Sequence, residues 1–307
     1  MRKQFLLLVV ALLPACATAP HLAPSLAGAP ANATQRSVQP LRVMSFNLRY
    51  NNPADGPNAW PFRKTWVAQL IRFHDADAVG VQEALAGMLA DLDTLLPEYA
   101  RIGVGRTDGV AKGEFSAILY RRDRLEMLEN ATFWLSPTPD VPGSKGWDAD
   151  LERIATWGRF RDRATGCTYL HLNTHFDHMG ERARQESARL IRKRLAMLAP
   201  VGSPVVMTGD LNTDPRSVAY RILTRDTIAA AFPQLVDALH ASREGHYGPN
   251  ATFNGFRAIP PDGYPIDYVL TSPVVEVRKH GFLPDSWGNR FPSDHLPVLT
   301  TLAIRCN

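Results

Sequence analysis

Six short polar clusters stand where apolar runs begin or end. They are Ser45-Phe46-Asn47, Gly80-Val81-Gln82-Glu83, Asn173-Thr174-His175, Gly209-Asp210-Leu211-Asn212, Ile266-Asp267-Tyr268 and Ser293-Asp294-His295-Leu296-Pro297. Their carboxylates and amides are hard oxygen donors, suited to one divalent cation such as magnesium. Their imidazoles, placed near carboxylates, can hold or pass a proton. Together these groups meet the needs of phosphoester hydrolysis. There the anionic oxygens repel a nucleophile until a cation and hydrogen-bond donors neutralise them. Glu83 is the natural primary ligand, because a carboxylate ending Val79-Gly80-Val81 is costly near a core without a partner. Asn47 repeats that arrangement with an amide. Asp210 and Asn212 lie two apart, so in an extended segment both can address one water. Each cluster alone also fits a structural part: Glu83 a helix cap, Asp210 and Asn212 an Asx-turn, His175 a satisfied buried histidine. The chemistry rests on the set.

These clusters need strands to carry them. Alternating or short apolar runs predict strands over 41–48, 78–82, 115–121, 132–135, 205–208, 267–271, 274–281 and 296–304. A hairpin is expected over 155–161 and 167–174, turning at Ala164-Thr165-Gly166. Helical spacing marks 62–73, 88–96, 181–198 and 215–223, with Pro97 stopping the second. Alternating strands and helices with hairpin-linked strands fit mixed sheets with helices outside, not a purely parallel doubly wound sheet.

The chain of 307 residues has room for one α/β domain of roughly 250 residues with a full core. Its net charge is +4, from 34 basic and 30 acidic residues. The densest basic group, residues 189–194, lies on a helical pattern and reads as a solvated face. The charge permits nucleic-acid contact without arguing for it. Arg2 and Lys3 precede an apolar run, Phe5 to Leu13, too short to span a bilayer. We read residues 1–15 as a signal peptide, 16–40 as a flexible tether rich in Ala, Pro, Ser and Asn, and 41–307 as the domain. Leu13-Pro14-Ala15-Cys16 resembles a bacterial lipobox, which would acylate Cys16 and anchor an exported protein to a membrane of the cell envelope. Cleavage after Ala19, giving a periplasmic or secreted protein, is the alternative. In that compartment Cys167 and Cys306 either pair or stay free thiols.

The six clusters, in this order, resemble the endonuclease/exonuclease/phosphatase superfamily of deoxyribonuclease-like, metal-dependent phosphoesterases over residues 41–305. The resemblance implies a four-layer αββα sandwich, two packed mixed β-sheets with helices on the outer faces and the site at the strand ends. It implies a magnesium cofactor, with manganese as an alternative, held by Glu83, Asn47 and Asp294. Asp210, helped by Asn212, would orient or deprotonate water. His295, polarised by Asp267, would contact the phosphate or act as base. His175 would stand near the leaving oxygen. By the same resemblance Glu114 would hydrogen-bond His175 and keep it protonated.

The loops 49–61 and 136–153 hold Trp60, Trp147, Arg49, Lys145 and Arg153, and Arg63 follows the first of them. Exposed tryptophans beside cations suit a sugar or polyol next to a phosphate. We therefore expect a compact glycan- or polyol-linked phosphodiester, with Arg49, Trp60, Arg63, Trp147 and Arg153 contacting it. A phosphomonoesterase, a nuclease and a non-catalytic surface binding lipoprotein are the competing functions. A nuclease would need a broader basic track.

Overall fold

The computed structural model describes residues 39–225 and 234–306. The signal segment 1–15, Cys16 and the tether as far as residue 38 lie outside the described residues.

Seven strands form one sheet: β1 (Leu41–Asn47), β2 (Ala78–Gln82), β3 (Tyr99–Ile102), β4 (Ile118–Arg121), β10 (His246–Tyr247), β12 (Glu276–Phe282) and β13 (Val298–Ala303), in the order β10-β12-β13-β1-β2-β4-β3. Six form the other: β5 (Leu125–Trp134), β6 (Ile154–Asp162), β7 (Thr168–His175), β8 (Val205–Asp210), β9 (Val236–Asp237) and β11 (Asp267–Thr271), in the order β5-β6-β7-β8-β11-β9. Both sheets are mixed. β1 runs parallel to β2 and β7 parallel to β8, while β13 on β1 and β11 on β8 are antiparallel.

The period of two along each strand builds the layers. On β1, Met44 and Phe46 join Val79 and Val81 of β2 in a core with helices α1 (Trp60–Phe73) and α2 (Ala86–Leu95). On β7 and β8, Leu170, Leu172, Val205 and Met207 pack with α3 (Glu181–Leu198) and α4 (Val218–Thr224). The alternate residues, among them Val43, Ala78, Tyr169, Val206 and Val269, form the middle core between the sheets. Helices therefore lie outside both sheets, in the αββα order expected. A short helix α5 (Ala238–Ala241) follows β9.

Towards one end of the middle layer apolar residues give way to polar ones. Gly80 faces Asn173 and Thr208 so closely that a Cβ there would stand 2.0 Å from Thr208 Oγ1. Asn173 donates to the carbonyls of Val81 and Ala117, both at 2.9 Å, and accepts from Gln82 at 2.7 Å and Thr208 at 3.0 Å. The bonds with Val81, Ala117 and Gln82 join the two sheets, and the one from Thr208 braces Asn173 within its own.

Several boundaries moved. Strand β3 and the first half of β5 were not expected. β3 has only four residues, and residues 128–131 of β5 are exposed and lack a buried alternation. The loop 49–61 contains a 3-10 turn, Pro53–Asn58, and α1 starts two residues before the expected helix. Cys167 and Cys306 are paired, with 4.9 Å between their Cα atoms.

Candidate active site

On β1, β7, β8 and β11 the odd-numbered or even-numbered set that fills the middle layer ends on Asn47, His175, Asp210 and Asp267. The register places His175 beside Asp210 and Asp210 beside Asp267. Glu83 leaves β2 next to Asn47, and Asp294 and His295 precede β13. Side chains from both sheets thus meet at one sandwich edge, in a cleft of about 550 Å³. Arg49, Glu83 and Asn212 hold φ of 54°, 60° and 46°, the left-handed region that side chains other than glycine seldom adopt. Such strain persists where surrounding contacts hold it, and it concentrates at functional sites.

Asn47 joins the acids. Its Nδ2 donates to Glu83 Oε1 at 3.0 Å and to Asp210 Oδ2 at 2.9 Å, and its Oδ1 accepts from the Arg49 N–H at 2.9 Å. Glu83 Oε2 accepts from the Tyr50 N–H at 3.0 Å. Burial pushes the Asp294 carboxyl up, and the charge of Glu83 adds to that. Arg49 stands 3.8 Å from Asp294 but spends its guanidinium on Asp55, at 3.0 and 3.1 Å. Glu83 and Asp294 supply carboxylate oxygens with excess negative charge, which fits a hard divalent cation, while the Asn47 amide oxygen faces the Arg49 N–H and its NH2 faces the acids.

His295 forms the second group. Its Nδ1 lies 2.8 Å from Asp267 Oδ2, and its Nε2 3.8 Å from Asp210 Oδ2. Burial favours the neutral ring, but Asp267, then Asp210 and Asp294, outweigh it and hold the pKa well above the usual value. Asp210, Asp267 and His295 offer ligand atoms within 4.8 Å of one another, near enough for an ion. The 2.8 Å contact already places a ring proton between His295 and Asp267, so we read this trio as a proton network. Burial, and next the charge of Asp267, push the Asp210 carboxyl up to about 7.

Glu114 and His175 depart from expectation. Glu114 lines the cleft but pairs with Arg106 at 2.7 Å, not with His175. Asn212 Nδ2 donates to the Phe176 carbonyl at 3.0 Å, which fixes the amide. Its other hydrogen then points to His175 Nε2 at 2.9 Å, so that nitrogen accepts. Burial, reinforced by Arg153 and Arg106, holds the His175 pKa well below its usual value. His175 is a neutral ring here, not the protonated partner of a carboxylate.

Of the five expected substrate contacts, Arg49 and Arg153 line the cleft. Trp60 does not: it opens α1, is buried and donates to Asp91 of α2 at 2.9 Å. Arg63 is wholly buried and donates to the carbonyls of Asn58, Leu48, Pro292 and Arg49. It fastens the loop after β1 to the loop before β13. Apolar spacing drew Trp60 inward, and carbonyls without strand partners drew Arg63. Trp147 is half-buried and does not line the cleft. Tyr50, Leu151, His178, Phe253 and Ile266 line it and were not anticipated. The spacing of His175 and His178, with Asp177 between, was the one available signal.

The model of the endonuclease/exonuclease/phosphatase family matches residues 44–295. A solved family structure from Bacteroides vulgatus is 41% identical, covers 87% of this chain and 100% of its own, and superposes with a TM-score of 0.81. The mannosyl-6-phosphatase of Bacteroides thetaiotaomicron is 39% identical over 86% of this chain and 100% of its own, with a TM-score of 0.78. An uncharacterised protein of Acanthamoeba polyphaga mimivirus is 23% identical across 80% of this chain, which spans only 39% of that protein's length. Enzymes of this family generally depend on a divalent metal. The chain belongs to the endonuclease/exonuclease/phosphatase family and is a phosphoester-hydrolysing enzyme.

Proposed function

We propose that this enzyme is an exported, magnesium-dependent phosphatase acting on a compact sugar- or polyol-linked phosphate. The cleft carries this reading. Its volume suits one small ligand, and it brings acids and imidazoles together at one edge. The tryptophans that suggested a glycan-linked diester do not reach it. A terminal phosphate on a hexose is therefore the form we favour, supported by the likeness to the mannosyl-6-phosphatase. The nuclease reading has less support. Arg49 and Arg153 are the arginines that line the cleft, and both are engaged by carboxylates, Asp55 and Asp177.

Glu83 and Asp294 would hold the cation, joined by the Asn47 oxygen with its amide turned about, and the cation would neutralise phosphoryl charge and steady the leaving oxygen. Asp210, fixed by Asn47 and by the Asn212 N–H at 2.9 Å, accepts the proton of the attacking water. His295 keeps its own proton and donates to a phosphoryl oxygen, so it is not the base. The neutral His175 positions the leaving side through Asn212.

The test is phosphate release from mannose 6-phosphate, beside bis-p-nitrophenyl phosphate and plasmid DNA, with magnesium and with EDTA. Nicking of DNA that falls steeply with salt, and inertness on both small esters, would overturn the proposal. Export rests on the segment 1–16, and the Cys167–Cys306 pair supports it, because such bonds persist in oxidising compartments. Cys16→Ser should release the protein from membranes. A wild type that fractionates as soluble protein would remove the lipid anchor.

A further inference from the structure

Three cleft side chains retain hydrogen-bonding capacity that the phosphate chemistry leaves unused. The first is Glu114. Its Oε2 is bound by Arg106 at 2.7 Å, while its Oε1 takes no hydrogen bond among the described residues. A carboxylate beside a phosphate site repels phosphoryl oxygens, so its ligand must be a donor.

The second is Arg153. It is buried, with Nε 3.4 Å from Asp177 and Nη2 3.1 Å from His178 Nδ1, while Nη1 has no partner among the described residues. A buried donor of this kind calls for an acceptor.

The third is His178. A guanidinium can only donate, so the Arg153 contact makes Nδ1 of His178 an acceptor. The ring proton then sits on Nε2. Its nearest carboxylate, Asp150, is 3.8 Å away, beyond hydrogen-bond reach. The half-exposed ring of this cleft-lining residue therefore keeps an N–H with no hydrogen-bond acceptor among the described residues.

One acceptor with two donors does not match a phosphate, which only accepts. It matches hydroxyl groups, each of which donates and accepts. The position agrees. Both Glu114 and the leaving-side His175 feel the charge of Arg153, and His175 and His178 line the same cleft. We propose that Glu114, Arg153 and His178 form a hydroxyl-reading subsite that selects a polyol on the leaving oxygen. This rests on the phosphatase reading above and goes further, by naming the residues that choose the alcohol.

The test compares kcat/KM for mannose 6-phosphate and for n-hexyl phosphate, an ester of similar length without hydroxyls. Both are measured with magnesium in the wild type, Glu114→Gln and His178→Ala. Hydrogen bonds from charged groups are the stronger kind, so the wild type should prefer the sugar ester by tenfold or more. Each variant should cut that preference by about tenfold. His178 is partly exposed, so its variant should fold even if Glu114→Gln, which loosens Arg106, does not. A wild-type preference near one, or a preference unchanged in the folded variants, overturns the proposal. If Glu114 serves the metal instead, its variant will need more magnesium on both esters and leave the preference intact, which also overturns it. Hydrolysis of neither ester by the wild type defeats the phosphatase reading itself, and the subsite with it.

Discussion

Asp267→Asn isolates the charge that keeps His295 protonated. The replacement has the same shape, and its amide oxygen can still accept from Nδ1 across the 2.8 Å contact. What disappears is one negative charge, the largest influence opposing the burial of the ring. Burial then gains ground, the imidazole pKa falls, and at neutral pH the proton leaves Nε2. That nitrogen faces Asp210 and, in our mechanism, a phosphoryl oxygen. Losing one preorganised donor to a developing oxyanion costs roughly 10²–10³ in kcat, about 2.7–4 kcal/mol. The assay is kcat on mannose 6-phosphate at saturating magnesium, with the imidazole titrated by ¹⁵N NMR. Stability should follow the same pair. A raised histidine pKa contributes stability that is fully present below the unfolded value of about 6.5 and fades as pH rises through the folded value. The variant should therefore lag the wild type most in the acidic to neutral range and converge with it above the folded pKa. A kcat within threefold of wild type, or an imidazole that stays protonated well above 6.5, would refute the reasoning.

Glu83→Gln should retain the fold and raise the magnesium needed for half-maximal rate by tenfold or more, read by activity titration. If Asp210 is the base, the rate should rise with pH along an acidic limb at or below about 7, since a bound cation lowers the carboxyl from its raised value; a flat profile from pH 5 to 8 would exclude that role. Arg63→Met should cost roughly 3–5 kcal/mol in denaturant unfolding, because it strands carbonyls of two loops. It should also lower activity, as those loops carry Arg49 and Asp294. Cys306→Ser should lower stability by about 2–4 kcal/mol and leave kcat unchanged, because Cys167 lies just before β7 and His175 ends it, some 25 Å further on.

The strand ends were legible because a polar residue after a short apolar run has few other uses. Asn47, Glu83, His175, Asp210, Asp267, Asp294 and His295 all converge on one edge. Their partners were less legible. The loop 105–114 folds Arg106 back onto Glu114 with no apolar pattern to announce it, whereas His175 arrives from another segment. Trp60 and Arg63 were misjudged for a related reason. Proximity to a loop predicts exposure, but both residues belong to the first turn of α1, whose inner face needs a core plug and whose flanking loops need donors for unpaired carbonyls. His178 stayed hidden because its role depends on Arg153, which reaches it across a loop.

The seam of Gly80, Gln82, Asn173 and Thr208 acts as an alignment pin. Half of the catalytic set rides on one sheet and half on the other, so neither sheet holds an active site by itself. Apolar packing between two sheets is non-directional and would tolerate one sliding on the other by part of a residue step. Such a slip would break no bond inside either sheet, yet it would pull Asn47 off Asp210. Hydrogen bonds that cross the gap are directional and resist it, and the missing side chain of Gly80 lets them close. Gly80→Ala should thus act as a misalignment at a distance, with Asn47 and Asp210 intact but no longer in register.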